Sequence, residues 1–148
     1  MRPRELIFSL VAVLLLSSCA SEDRLYPSQG LTAATAATVK GSSNSQGFKG
    51  EIYVAGVDGR LGPRSARGPL LVPPGSHVLD VVFEYGLTLA NGRIAGDLRP
   101  GTVYVARADK TGVCDVMVWL EVEGSGEKIS EKQLVKLLPA VNLARVVC

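Results

Sequence analysis

The chain has little of what catalytic and metal sites are built from. It contains one histidine, His77, and three cysteines among its 148 residues. A zinc site or a histidine-based catalytic site needs a group of such ligands, and the sequence has neither a second histidine nor a paired-cysteine spacing. It also lacks a Gly-x-Ser-x-Gly elbow and a glycine-rich phosphate loop followed by Lys-Ser or Lys-Thr. We therefore expect a non-enzymatic protein without a metal or another cofactor.

Excess charge of one sign and long apolar runs are also scarce. Sixteen basic residues face 14 acidic ones, giving a net charge of +2. Such a balance offers no electrostatic footprint for nucleic acid. No stretch reaches the roughly 20 apolar residues of a membrane-spanning helix. The 47% of hydrophobic residues is enough for the core of one domain.

Residues 1–18 have the pattern of a signal peptide. Arg2 and Arg4 are followed by an apolar run over 6–16 and then by small residues. The tetrapeptide Leu16-Ser17-Ser18-Cys19 resembles the lipobox of bacterial lipoproteins. The alternative is an ordinary secreted protein in which Cys19 is incidental.

The lipobox resemblance implies an anchor and a location. In that family the cysteine thiol accepts diacylglycerol and the cysteine becomes the mature N-terminus, so Cys19 would be the lipidation site. Two or three acyl chains hold a protein stably on a membrane. Ala20 and Ser21 follow Cys19, whereas lipoproteins of the inner membrane typically have Asp there. The resemblance therefore implies an outer-membrane protein that faces the periplasm.

Beyond the anchor we expect a tether over 19–36 and a β-domain over 37–148. The tether shows neither helical nor strand periodicity and is small and polar. The domain consists of short apolar runs broken by turn signals such as Asp58-Gly59. About seven strands are predicted, without a long helical pattern between them. This favours an antiparallel two-sheet sandwich.

Two alternating segments predict which side chains face the core. In the segment His77–Tyr85, Leu79, Val81 and Phe83 share one face. The aliphatic residues of 114–122 also share one face. Ala90-Asn91-Gly92-Arg93 is a strong hairpin signal.

The C-terminal part departs from alternation. Ser130 could cap a short helix over 130–138, which Pro139 would end. We further expect a last strand over 143–147.

Three segments together resemble the PEGA-like domains of extracytoplasmic bacterial proteins. They are Val57-Asp58-Gly59, Val72-Pro73-Pro74-Gly75-Ser76-His77-Val78-Leu79-Asp80-Val81 and Pro100-Gly101-Thr102-Val103-Tyr104-Val105-Ala106. The resemblance covers roughly residues 50–106, and the Pro-Glu-Gly-Ala tetrapeptide itself is absent. It implies an Ig-like or transthyretin-like sandwich without catalytic activity.

The remaining cysteines suggest a disulfide. Cys114 and Cys148 are two thiols of a domain that we place in the oxidising periplasm. The alternative is that Cys114 is a buried free thiol and Cys148 frays at the terminus.

A few polar and aromatic residues are candidates for binding. Arg60, Arg64 and Arg67 share a Gly-Pro-Ser loop that could contact anionic groups or a partner protein, although a solvated loop explains them as well. His77 reads as a turn residue that leans on its strand. Trp119 and Tyr104 would form an exposed aromatic patch or, as we favour, pack in the interior.

The sequence thus favours a membrane-anchored envelope lipoprotein that serves as a structural or protein-interaction module, with another envelope protein as partner. The second hypothesis is a periplasmic lipoprotein that binds a ligand or inhibits an enzyme. A hydrolase is a third and weaker hypothesis.

Overall fold

The computed structural model describes residues 30–44, 50–62 and 67–139. These residues contain eleven strands and no helix, so none of them belongs to a helix that could cross a membrane. The strands are β1 Ala37–Lys40, β2 Ser42–Asn44, β3 Gly50–Val57, β4 Arg60–Leu61, β5 Leu70–Val72, β6 Gly75–Tyr85, β7 Thr88–Leu98, β8 Val103–Lys110, β9 Asp115–Val122, β10 Gln133–Lys136 and β11 Leu138–Pro139. The prediction of a mainly β protein is confirmed, but the predicted number of about seven strands is too low, because strands as short as β2, β4 and β11 carry too little alternation to be recognised.

The strands form two sheets with one hydrophobic core. Sheet I has the order β10-β9-β8-β1-β5, and sheet II has the order β11-β7-β6-β3-β2 with β4 added to β3. Strands β1 and β8 are parallel, while the other pairs of described strands are antiparallel. Both sheets contribute to the core, whose largest fully buried side chains include Phe83, Leu79 and Ile52 from sheet II and Tyr104, Leu120 and Val39 from sheet I.

Along the described strands the chain passes between the two sheets five times, and two of these crossings are each made by a single residue. Gly41 separates β1 of sheet I from β2 of sheet II. A Cβ atom at this position would lie 2.0 Å from the carbonyl oxygen of Ile52, so only glycine fits the crossing. Leu137 makes the other single-residue crossing, between β10 and β11, and its side chain is 2% exposed.

The predicted faces of two long strands are confirmed. Leu79, Val81 and Phe83 of β6 are buried, and their neighbours in sequence are partly exposed. Val116, Val118 and Leu120 of β9 are buried in the same way. Strict alternation is a reliable signal here because each strand has one face on the core and one on solvent.

The hairpin predicted at Ala90-Asn91-Gly92-Arg93 is wrong. These residues lie inside β7, which pairs with β6 from Leu98 back to Thr88. The turn is Gly86-Leu87, where Gly86 has a φ of 58° and occupies the first position of a two-residue loop, as a type II′ turn requires. Gly92 serves close packing between the sheets instead, since a Cβ there would lie 3.2–3.3 Å from Val118, Val135 and Val81.

The helix predicted over 130–138 is also wrong. This segment forms β10 and β11, and the Ser130 hydroxyl accepts a hydrogen bond from the amide of Leu120 at 2.8 Å instead of capping a helix. Val135 and Leu137 are buried, whereas Leu134 and Leu138 are more than half exposed. Four apolar residues in such a short segment fit both the helical period and the strand period. The segment forms a strand because it can pair with the edge of β9.

Several expectations fall outside the described residues. They are the signal peptide 1–18, most of the tether and the last strand over 143–147. Within the tether range, Ala36 is fully buried, and its carbonyl accepts a hydrogen bond from the amide of Gly101 at 2.9 Å. This contact joins the end of the predicted tether range to the connection between β7 and β8.

Candidate functional site

The only histidine is paired with a carboxylate. Asp58 and Gly59 form the predicted turn after β3, with φ angles of 51° and 76°. One Asp58 oxygen lies 2.7 Å from Nδ1 of His77, and the other accepts a hydrogen bond from the amide of Val78 at 2.9 Å. The Asp58 amide in turn donates to the carbonyl of Val78 at 2.8 Å.

These contacts lower the pKa of the Asp58 carboxyl. The Val78 amide lowers the pKa of the Asp58 carboxyl, burial opposes this, and His77 lowers it further. The His77 side chain is 15% exposed. Sequence reasoning missed this pair because the residues are 19 positions apart, although both lie in the segments that resemble the PEGA-like domains. The pair fastens the β3–β4 turn to the start of β6.

The structure does not bring the described arginines of the predicted cationic loop together. Arg60 pairs with Val57 at one end of β3, whereas the Arg67 guanidinium binds Glu51 near the other end. Six residues of strand separate these points, which corresponds to about 20 Å. The third member, Arg64, lies outside the described residues.

Arg67 is also neutralised by its surroundings. It donates to Glu51 at 2.5 Å and to Glu84 at 2.7 Å, and its guanidinium lies 5.4 Å from the centroid of the Tyr53 ring. Glu84 and Glu51 raise the pKa of Arg67. Two carboxylates around one guanidinium make this place acidic overall, so the Arg67 side chain is bound to sheet II and adds little to a cationic surface.

The two aromatic candidates differ. Tyr104 is 1% exposed and belongs to the core, which confirms the interior interpretation for this residue. Trp119 lies half-buried on the outer face of sheet I, beneath the ammonium group of Lys132, which is 4.5 Å from the ring centroid. Its indole N–H donates to Glu121 at 3.1 Å, and Arg107 donates to the same carboxylate at 2.7 Å.

The Glu121 carboxylate therefore sits in a network of donors. Burial raises the pKa of Glu121, but the hydrogen bonds from Arg107 and Trp119 outweigh it, and the pKa lies below its usual range. Trp119 is thus covered by a cation and fixed by a carboxylate, and it forms no bare aromatic patch.

Cys114 is disulfide-bonded. The other two cysteines of the chain, Cys19 and Cys148, lie outside the described residues. The carbonyl of Cys114 accepts a hydrogen bond from the amide of Leu137 at 2.9 Å. The chain therefore returns to Cys114 at Leu137, near the end of the described residues.

A cleft that the sequence did not predict opens at the end of the molecule where β7 ends. We call it the end cleft; its volume is about 430 Å³, and it is lined by Asp97, Arg99, Thr102, Tyr104, Val122, Glu127, Lys128 and Ile129. These residues come from the end of β7, the start of β8, the end of β9 and the turn that follows β9. Among the described residues, no group of three or more His, Cys, Asp or Glu side chains could hold a metal ion.

Comparison of the chain with protein-family models, with curated proteins and with solved structures finds no significant match.

Proposed function

We propose that the protein is a non-enzymatic envelope lipoprotein, anchored through Cys19 and facing the periplasm from the outer membrane. The observation that carries the proposal is the order of a basic start, an apolar run over 6–16 and Leu16-Ser17-Ser18-Cys19. Two acyl chains suffice for stable anchoring, because each buried methylene contributes about 0.8 kcal/mol.

The domain carried by this anchor is, in our proposal, an Ig-like or transthyretin-like sandwich that acts as a structural or protein-interaction module. Two sheets around one core and the chain crossings at Gly41 and Leu137 support a sandwich. The contact of His77 with Asp58 gives this histidine a structural role, since the pair fastens the turn after β3 to the start of β6.

We also propose that Cys148 is the partner of Cys114. If Cys19 carries the lipid through its thiol, Cys148 is the cysteine left for the disulfide of Cys114. The contact between Leu137 and Cys114 brings the chain close to Cys114 eleven residues before Cys148.

The end cleft favours a second candidate function, that of a ligand-binding or enzyme-inhibiting lipoprotein. A concave site of this volume lies within the range of small-molecule pockets. This function uses the same anchor and differs in what the domain captures.

Metabolic labelling and crosslinking test the proposal. Cells that express the full chain are grown with a fatty-acid analogue, and the protein is compared with Cys19→Ser and, as a matched control, with Cys148→Ser. We expect label in the wild type and in Cys148→Ser but not in Cys19→Ser. A wild type without label would overturn the anchor. Crosslinking before purification then separates the two functions, because a stable complex with an envelope protein supports the module and capture of a soluble enzyme supports the inhibitor.

A further inference from the structure

The charged side chains around the end cleft have no partners in the described part of the protein. Asp97, Arg99 and Glu127 form no ion pair or side-chain hydrogen bond there, and Lys128 acts on Glu121 only through its charge. Elsewhere in the described part of the protein, charged side chains such as Arg67, Arg107 and Lys40 are paired with carboxylates. Among the described residues, the cleft thus combines two exposed cations with two exposed anions, and none of the four forms an ion pair.

The floor of the end cleft offers a further donor. Tyr104 is 1% exposed, and its phenol oxygen accepts a hydrogen bond from the amide of Arg99 at 2.8 Å. The hydroxyl hydrogen has no acceptor among residues 30–44, 50–62 and 67–139. A buried hydroxyl usually donates as well as accepts, so an acceptor supplied by a ligand would complete its hydrogen bonds.

The other lining residues are Thr102 and the apolar pair Val122 and Ile129. Val122 and Ile129 are partly buried and pack against the core. A ligand that fits the cleft therefore needs a short apolar body in addition to charged groups. Its anionic group would be bound by Arg99, Lys128 and the Tyr104 hydroxyl, and its cationic group by Asp97 and Glu127.

We propose that the end cleft binds a short peptide with a free amino group and a free carboxylate. A peptide of this kind carries both charges on a body of apolar side chains, which matches the composition of the cleft. Its volume of about 430 Å³ is at the lower end of the range for small-ligand sites. The proposal goes beyond the envelope role and does not depend on lipidation of Cys19.

The test titrates purified full chain in detergent with tri-alanine and follows the backbone amide signals of cleft residues by NMR. N-acetylated tri-alanine and tri-alanine amide each lack one charge, and phosphoethanolamine carries both charges without a peptide. We expect saturable binding of tri-alanine, with shifts at Arg99 and Lys128. Blocking either end should weaken binding about tenfold, since a hydrogen bond to a charged group is worth about that factor.

A variant assigns the site of the amino group. Glu127→Gln should weaken binding of tri-alanine but leave the N-acetylated peptide unaffected, while the matched control Glu131→Gln, an exposed residue outside the cleft, should bind like the wild type. Equal affinity of free and blocked peptides, no peptide-induced shift at the cleft, or binding of phosphoethanolamine alone would each overturn the proposal. The blocked peptides are compared on the wild type, so this outcome does not depend on any variant folding.

Discussion

The carboxylate of Asp58 lies 2.7 Å from Nδ1 of His77, although 19 residues separate them in the chain. The same carboxylate accepts the amide of Val78, so one side chain joins the turn after β3 to the first residues of β6. The positive φ of Asp58 is a conformation that Asp and Asn tolerate better than most residues. Asp58 therefore both forms the turn and fastens it.

The Asp58 contacts predict a pH-dependent contribution to stability. Since the pKa of Asp58 is lowered in the folded state, its carboxylate stabilises the fold above the usual carboxyl range near pH 4, and this contribution is lost as the pH falls through the folded-state pKa. Asp58→Asn should lower the free energy of unfolding by about 0.5–1 kcal/mol at pH 7, a value that allows for the half-exposed side chain. Urea unfolding of the wild type and of Asp58→Asn at pH 7 and at pH 3 measures the loss of stability at each pH.

The control for this prediction is Asp109→Asn, which replaces an exposed aspartate that forms no ion pair or side-chain hydrogen bond with another described residue. It should change stability little at either pH. If Asp58→Asn were as destabilising at pH 3 as at pH 7, the carboxylate would not be the stabilising group.

Two adjacent leucines test the C-terminal strands. Leu137 is 2% exposed at the crossing between the sheets, whereas Leu138 is 57% exposed. Leu137→Ala should lower the free energy of unfolding by about 2–5 kcal/mol because it leaves a cavity in the core. Leu138→Ala should change it by no more than about 0.5 kcal/mol. Equal effects of the two substitutions in thermal or urea unfolding would contradict the alternation of this segment.

Gly41 and Gly92, two of the glycines in close contact with neighbouring atoms, should differ in their tolerance of alanine. In Gly92→Ala the new methyl group meets side chains at 3.2–3.3 Å, and overpacking of this kind costs about 1–3 kcal/mol. In Gly41→Ala it meets the backbone carbonyl of Ile52 at 2.0 Å, which cannot move without disturbing β3. We expect the second variant to be the less stable one in urea unfolding, and the reverse order would contradict the crossing at Gly41.

The disulfide of Cys114 gives a prediction by mass spectrometry under non-reducing conditions. The proteolytic peptides that contain Cys114 and Cys148 should be linked, in the wild type and in Cys19→Ser. The bridge closes a loop of about 35 residues, for which the chain-entropy model gives about 3–4 kcal/mol. Cys148→Ser should leave Cys114 as a free thiol and lower the unfolding temperature. A link between Cys114 and Cys19 would contradict both this pairing and the lipidation of Cys19.

The sequence predicted the fold where a single pattern governs a long segment. The alternation of β6 and β9 is strict, so the buried faces of Leu79, Val81 and Val116 followed from it. The Asn91-Gly92 hairpin prediction failed because glycine occurs both in turns and where side chains pack closely, and Gly92 packs closely against Val118 inside β7. The prediction of a C-terminal helix failed because the four apolar residues fit both the helical and the strand period. Pairing with β9 makes the segment a strand.

The candidate sites were less accessible to sequence reasoning. The end cleft combines segments near residues 97, 104, 122 and 128, and only the pairing of strands brings them together. The distance between Arg60 and Arg67 has the same origin, since residues close in the chain are held at opposite ends of β3. Spacing along the chain cannot show either relationship.

Mass spectrometry of the N-terminal peptide of the protein extracted from membranes tests the central proposal most directly. A lipoprotein predicts that the mature chain begins at Cys19 and that this residue carries diacylglycerol on its thiol, with a third acyl chain on its amino group where the cell adds one. A mature chain that begins elsewhere, or a Cys19 with an unmodified thiol, would contradict the anchor.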